Sequence, residues 1–367
     1  MLKVESYQTG SLPQSEDPLV CVSSRVLASA VPSGQGFLAA FNVPNPPEMP
    51  CRMGGMGPGT VVTLMRYDAP TELGSFLTAT EGDRAVVASE PLANVNHTIA
   101  RQESNAMNER MTVERDGHVL LIGINRPEKR NAFDILALEE LAEAYETLGK
   151  DPELRVGVVY AHGDHFSAGL DLAQVGPVVA EKGPQALAGS YAYDPFGVWK
   201  DPVPKPVVMA VNGIAFTLSI ELALASDIVI AAADVRFRQL EIGRGILPFG
   251  GATMRAPAQL GWGNAMRFLL TGEEFGAAEA LRIALVQEVV APGKHVERAR
   301  EIAQLIARQA PLGVQGTLAN ARVLVKEGPK AATAHLASLL PRVLGSEDAA
   351  EGLASFVQRR EAQFRGR

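Results

Sequence analysis

AFTLSIELALASD, residues 215–227, sets Glu221 among residues that are otherwise apolar or small until Asp227 closes the stretch. Ile220, Leu222, Ala223, Leu224 and Ala225 favour a helix with no wide polar face, and such a helix is normally buried. An unpaired buried carboxylate costs several kcal/mol or takes up a proton. A helix beginning near Leu218 leaves its first N–H groups without internal partners and puts Glu221 about one turn in. Glu221 then either compensates the positive end of its own helix or does chemistry beside it.

Working outward, the flanking stretches alternate between strand and helix. HVLLIGI (118–124), RVGVVYA (155–161), PVVMAV (206–211), DIVIAA (227–232) and VRFRQ (235–239) read as strands. Asp134 is placed to cap a helix in which Leu138, Leu141, Tyr145 and Leu148 recur at three- and four-residue spacing. Strands alternating with helices predict an α/β core over 107–295. From about residue 296 the pattern is almost wholly helical, and 296–367 reads as a helical tail appended to that core.

Residues 1–106 read differently. They hold both cysteines and the Pro-, Gly- and Met-rich run NVPNPPEMPCRMGGMGPGT (42–60). TVVTLMRY (60–67) and RAVVAS (84–89) can form strands, but breakers separate them and no sustained period links them. A small regulatory or partner-binding domain is one reading. The plainer expectation is an extension of low order, or sequence upstream of the true start, since Met107 and Met111 stand where clear patterning begins.

Bulk properties narrow the classes. The 367 residues are 47 % hydrophobic and 20 % charged with a net charge of −7, which offers no nucleic-acid footprint. No apolar run approaches the roughly 18 residues a membrane helix needs, so no membrane partner is expected. MLKVESYQTG lacks a basic region followed by an apolar core, and Glu5, Glu16 and Asp17 argue against a mitochondrial presequence. Cys21 and Cys51 alone exclude a disulfide scaffold or a CxxC metal site, and a reducing cytoplasm is the simplest compartment.

Three further stretches bear on chemistry. HFSAGLDL (165–172) offers small residues and a glycine just after a strand, where backbone N–H groups can polarise a carbonyl oxygen. Its plainer reading is an ordinary strand-to-helix turn. RFRQLEIGRGILPFGG (236–251) sets Glu241 between Leu240 and Ile242, with no phosphate-binding pattern. The plainer reading is a surface ion pair with Arg238 or Arg244. His162 and His165 in AHGDHF lack the further ligands of a zinc site. They read as a solvated loop, and no metal is assigned.

Together, NRPEKRNAF, FSAGLDL, KPVVMAVNG, IELALASDI, VRFRQLEIGRGILPFGGA, RFLLTGEEF, EALRIALVQEVV and EGLASFVQRREAQF resemble, in order and spacing, the crotonase superfamily of enoyl-CoA hydratases and isomerases. The resemblance runs from about Thr112 to the C-terminus. It implies a crotonase (ClpP-like) fold of repeated ββα units with a C-terminal helical oligomerisation region. It also implies an oxyanion hole, made by the N–H groups of Leu170 and Leu218, for the thioester oxygen of an acyl-CoA. Glu221 and Glu241 match the glutamates with which hydratases activate water and protonate the carbon α to the thioester. Burial and a second carboxylate would then raise their pKa values toward the useful range.

Contacts to substrate or CoA are implied at Lys129, Arg130, Ala168 and Asp171. Phe356 and Arg359 match positions that in relatives reach CoA in a neighbouring subunit; solvated surface is the plainer reading of the basic residues. A homotrimer or a dimer of trimers is expected. No cofactor is expected, because CoA is part of the substrate. Hydration of a 2-enoyl-CoA is the expected reaction. The alternatives are a Δ3-Δ2 isomerase needing one base and a catalytically weak acyl-CoA-binding homologue. One departure stands out: Thr217, Leu218 and Ser219 replace three glycines usual in the family, and Phe249 replaces another. These side chains must turn away from the thioester or narrow the acyl pocket.

Overall fold

The computed structural model describes residues 19–23, 62–66, 76–79, 86–88 and 109–367. The chain divides into two units, Met1–Asn108 and Glu109–Arg367. In the first, β1 (Leu19–Ser23), β2 (Val62–Arg66), β3 (Phe76–Ala79) and β4 (Val86–Ala88) form an antiparallel sheet in sequence order. The segments TVVTLMRY and RAVVAS thus contain β2 and β4. The expectation of low order for 1–106 otherwise lies outside the described residues.

The second unit opens with an antiparallel hairpin, β5 (Met111–Asp116) and β6 (Val119–Ile124), turned at Gly117, where φ is +60°. Next comes α1 (Ile135–Lys150), capped by Asp134, whose carboxylate accepts from the Ala137 amide at 2.8 Å. β7 (Val156–Ala161), α2 (Leu172–Lys182), β8 (Val207–Val211), β9 (Ile214–Phe216), α3 (Leu218–Ala225), β10 (Ile228–Ala232) and β11 (Arg236–Arg238) follow. Then come α4 (Ala252–Leu260), α5 (Trp262–Thr271), β12 (Phe275–Gly276), α6 (Ala277–Arg282) and β13 (Glu288–Val290). The C-terminal helices are α7 (His295–Ala307), α8 (Pro311–Glu327), α9 (Pro329–Leu344) and α10 (Glu347–Gln358).

The main sheet runs β13-β10-β8-β7-β6-β5, parallel except at the β5 edge. Its central strands are apolar throughout because both faces are covered. Alternate side chains serve opposite layers. Val119, Leu121, Val156, Val158, Val208 and Ala210 pack with Ala299, Ala303 and Ala307 of α7. Leu120, Ile122, Val207, Met209 and Val211 join the larger core with α1 and α3. The alanines of α7, four residues apart, let that helix lie close on the sheet. The first helix of the C-terminal run therefore covers the core.

A smaller sheet, β12-β11-β9, sits beside the main one and carries the chain into and out of the candidate site. Among the described residues no helix is long and apolar enough to cross a membrane.

Candidate active site

Two loops leave neighbouring strands and are laced together. Ser167, in the loop after β7, donates its amide to Ile214 O (2.9 Å), and its carbonyl accepts from the Phe216 amide (3.0 Å) and the Ser219 hydroxyl (3.2 Å). One step on, the Phe133 amide donates to Gly169 O and the Asp171 amide to Phe133 O, each at 2.8 Å. Those bonds use the peptide groups on both sides of Leu170. The Leu170 N–H, and that of Leu218 at the first position of α3, have no acceptor among the described residues. Two N–H groups are thus free on adjoining loops, and the dipole of α3 adds positive potential at one of them.

Glu221 is 2 % exposed and lies on the first turn of α3. It does not cap its own helix. Its Oε1 accepts from the Ala252 amide at 3.0 Å, where α4 begins. Burial pushes its pKa up to about 7, against the opposing pull of that amide, and the Glu241 charge raises it further. A Cβ on Gly250 would stand 2.7 Å from Glu221 Oε2, so the missing side chain there leaves the carboxylate its room.

Glu241 opens the short turn Glu241–Arg244 after β11 and is 8 % exposed, which excludes the surface ion pair. Gln239 Nε2 donates to its Oε1 at 3.1 Å, whereas Oε2 is buried without a hydrogen-bond partner. Burial raises this pKa to about 7 also. Two carboxylic acids that ionise near neutrality can serve one as base and the other as acid.

A narrow apolar cavity of about 20 Å³ lies beside Gly250, the neighbour of Glu221, and is lined among others by Leu187, Phe196, Trp199, Leu218 and Phe249. That is room for about one water. Asp194 shapes one wall by accepting from the Phe196, Val198 and Trp199 amides, each at 2.9 Å. Of the residues replacing family glycines, Leu218 and Phe249 narrow this cavity. Ser219 is fully buried, and Thr217 lies against Gly169.

Known proteins place the chain in a family. The family pattern described as enoyl-CoA hydratase/isomerase matches residues 114–367. A carnitinyl-CoA dehydratase from Salmonella heidelberg is 35 % identical over 270 residues, covering 71 % of this chain and all of the relative. The crystal structure of a probable enoyl-CoA hydratase/isomerase from Mycobacterium abscessus shares 50 % identity with a TM-score of 0.69, covering 71 % of this chain and 99 % of that one. An enoyl-CoA hydratase from Mycobacterium tuberculosis superposes at 30 % identity and TM-score 0.65, covering 71 % and 100 %. The chain belongs to the crotonase superfamily.

Within this crotonase fold the remaining sequence-predicted residues fall in several places. Lys129 and Arg130 are exposed on the turn after β6, and Arg130 and Asn131 both have positive φ (+50° and +54°). The Ala168 amide donates to Arg130 O at 2.9 Å, and Asp171 accepts from Arg126 Nη1 at 3.0 Å. Phe356 and Arg359 are exposed at the end of α10 and do not line the cavity. His162 and His165 are not simply solvated. His162 Nε2 lies 2.8 Å from Thr112 Oγ1, and His165 Nδ1 accepts from the Ile214 amide at 3.3 Å. Among the described residues no cluster suited to a metal occurs.

Sequence reasoning missed three residues that build this crotonase site. Arg126 bonds Asp171 and the Ala132 carbonyl. Asn131 Nδ2 donates to His162 O and His165 O, each at 2.8 Å, joining the turn to the loop that leads to Leu170. Asn131 had a usable signal, because asparagine tolerates the left-handed region. Gln239, which holds Glu241, had none.

Proposed function

We propose that this chain is an enoyl-CoA hydratase, adding water across the C2=C3 bond of a 2-enoyl-CoA thioester. The observation that carries the reading is the pair Glu221 and Glu241, both buried and both raised to a pKa of about 7. The N–H groups of Leu170 and Leu218 hold the thioester oxygen as it gains enolate charge, and such donors are each worth about 10²–10³ in rate. Ionised Glu221, held by the Ala252 amide, takes a proton from water as the water oxygen bonds to C3. Protonated Glu241 gives its proton to C2. The enolate electron pair forms the new C2–H bond, and one proton has passed from Glu241 to the product while another has passed to Glu221.

The same steps run backward remove water, the direction named in the carnitinyl-CoA dehydratase relative. An isomerase would need one base, so the presence of both glutamates favours hydration. Proton transfer between water, two carboxylates and substrate balances with no separate cofactor. Lys129 and Arg130 would meet the CoA phosphates, with Ala168 and Asp171 on the loop beside the thioester. Phe356 and Arg359 would complete a neighbour's CoA site in a trimer-based assembly.

The test is loss of enoyl-thioester absorbance across a panel of 2-enoyl-CoA esters, with binding of the same esters measured in parallel. Turnover of at least one ester is expected. Binding without turnover of any would leave an acyl-CoA-binding homologue instead.

A further inference from the structure

Thr217 is the strained point of the site. It sits at φ +50° and ψ −112°, a region that β-branched residues rarely enter. Such a conformation persists only where the surroundings force it, and it gathers where function uses it. Here the Thr217 amide donates to Arg238 O at 2.8 Å, and its carbonyl accepts from the Ile220 amide at 2.8 Å. The side chain lies over Gly169: a Cβ on Gly169 would stand 1.8 Å from Thr217 Oγ1 and 3.1 Å from Thr217 Cβ. Gly169 has φ +96°. It leads directly into Leu170, as Thr217 leads directly into Leu218. The contact therefore lies one peptide upstream of both free N–H groups.

We propose that Thr217 is a positioning residue of the oxyanion hole, its side chain wedged against Gly169 to fix the spacing of the Leu170 and Leu218 N–H groups. This rests on reading those groups as the donors to the thioester oxygen. Useful donors must lie about 2.7–3.1 Å from the developing oxyanion. Glycine at 217 would meet the backbone angles without strain but would reach many others, and the Leu218 N–H would swing with them. Threonine accepts the strain and removes that freedom. Stability and carbonyl polarisation are therefore expected to move in opposite directions when the wedge is taken away.

The experiment uses the full chain with T217G, T217V and T217S. Each binds butyryl-CoA labelled with ¹³C at the carbonyl, a saturated thioester with no C2=C3 bond to hydrate. Isotope-edited infrared difference spectra read the polarisation of the carbonyl, and thermal melts read stability. Wild type and T217V, which keeps the branched shape, should show the same shift to low frequency. T217G should lose most of that shift while melting at a higher temperature, and on an enoyl ester its kcat should fall with KM little changed. Full retention of the shift in T217G would overturn the proposal. So would its loss in T217V with retention in T217S, since the hydroxyl itself would then be a donor. An absent shift in the wild type would overturn it too. A normal pattern of shifts in a chain that hydrates no enoyl ester would sink the hydratase reading and leave the wedge standing.

Discussion

The Ala252 amide donates to Glu221 Oε1 at 3.0 Å, joining the first turns of α4 and α3. The positive end of α4 favours the ionised form of Glu221, while burial and the charge of Glu241 oppose it. Glu241 has one carboxamide donor and a bare Oε2. Both pKa values are raised to about 7, so the proposed division into base and acid rests on the Ala252 amide, which supports the ionised form of Glu221.

Both glutamates should be indispensable. E221Q and E241Q each keep shape and much of the hydrogen bonding, so folding should survive. In the proposed hydration Glu221 acts on the water and Glu241 on C2 in one addition, and groups acting as a unit are non-additive. Each variant should lose on the order of 10³ in kcat, with the double variant little worse. Steady-state hydration of the best enoyl ester checks this. Retention of most activity by E221Q would return Glu221 to the role of a helix-end charge.

Stability should depend on pH in a definite direction. Burial raises Glu241 from 4.5 to about 7 in the folded chain, so between those values the native state holds a proton that the unfolded state has lost. The stability this gives is present below pH 4.5 and disappears as pH rises through about 7. E241Q does not titrate. It should melt above the wild type at pH 8, by up to roughly 3 kcal/mol, with the gap closing toward pH 4. Thermal melts across that range test the sign, and a constant offset would refute it.

Much of this was legible in the residues. The apolar runs of β6, β7, β8 and β10 needed only their composition, and the Asp134 cap only its position. Glu221 announced itself as a charge in an apolar helix. What stayed hidden depends on long-range approach. Nothing local to Glu221 reveals that its amide partner lies at Ala252, and nothing near Glu241 reveals that Gln239 turns inward. The sequence signals two alternatives for Thr217 and its neighbours, turning away or narrowing the pocket. The structure divides them: Leu218 and Phe249 narrow it, while Ser219 is buried and Thr217 rests on Gly169.

Truncation at either of two methionines tests the boundary expected near residue 107. The Arg110 and Met111 amides both donate to Glu140 Oε2 at 2.8 Å, and Arg110 pairs with Asp134 at 2.9 Å. Arg110 O also accepts from the Asn125 amide at 2.7 Å. A chain starting at Met107 keeps all of these and should match the full chain in melting temperature and turnover. One starting at Met111 loses Arg110, its ion pair with the buried Asp134 and its carbonyl acceptor. It should melt several degrees lower, following a loss of about 1–3 kcal/mol. Equal melting temperatures for the two truncations would show that Arg110 contributes nothing.

Assembly is the remaining expectation, and the last helices carry it. Val325 on α8, Leu344 on α9 and Leu353, Phe356 and Val357 on α10 are exposed in the single chain, Val325 and Phe356 by 81 % and 82 %. Scattered apolar residues are normal on a surface, but large ones grouped on adjoining elements mark a contact. A trimer or a pair of trimers should appear by light scattering at micromolar concentration. Replacing Phe356 and Val357 together by serine should shift the population toward monomer, because the substitution removes apolar area worth about 25 cal/mol per Å². If Phe356 and Arg359 also reach a neighbour's CoA, the same variant should raise KM for the CoA ester more than it lowers kcat. A wild type that remains a monodisperse monomer would remove the trimer and, with it, the place of Phe356 and Arg359 in a shared site.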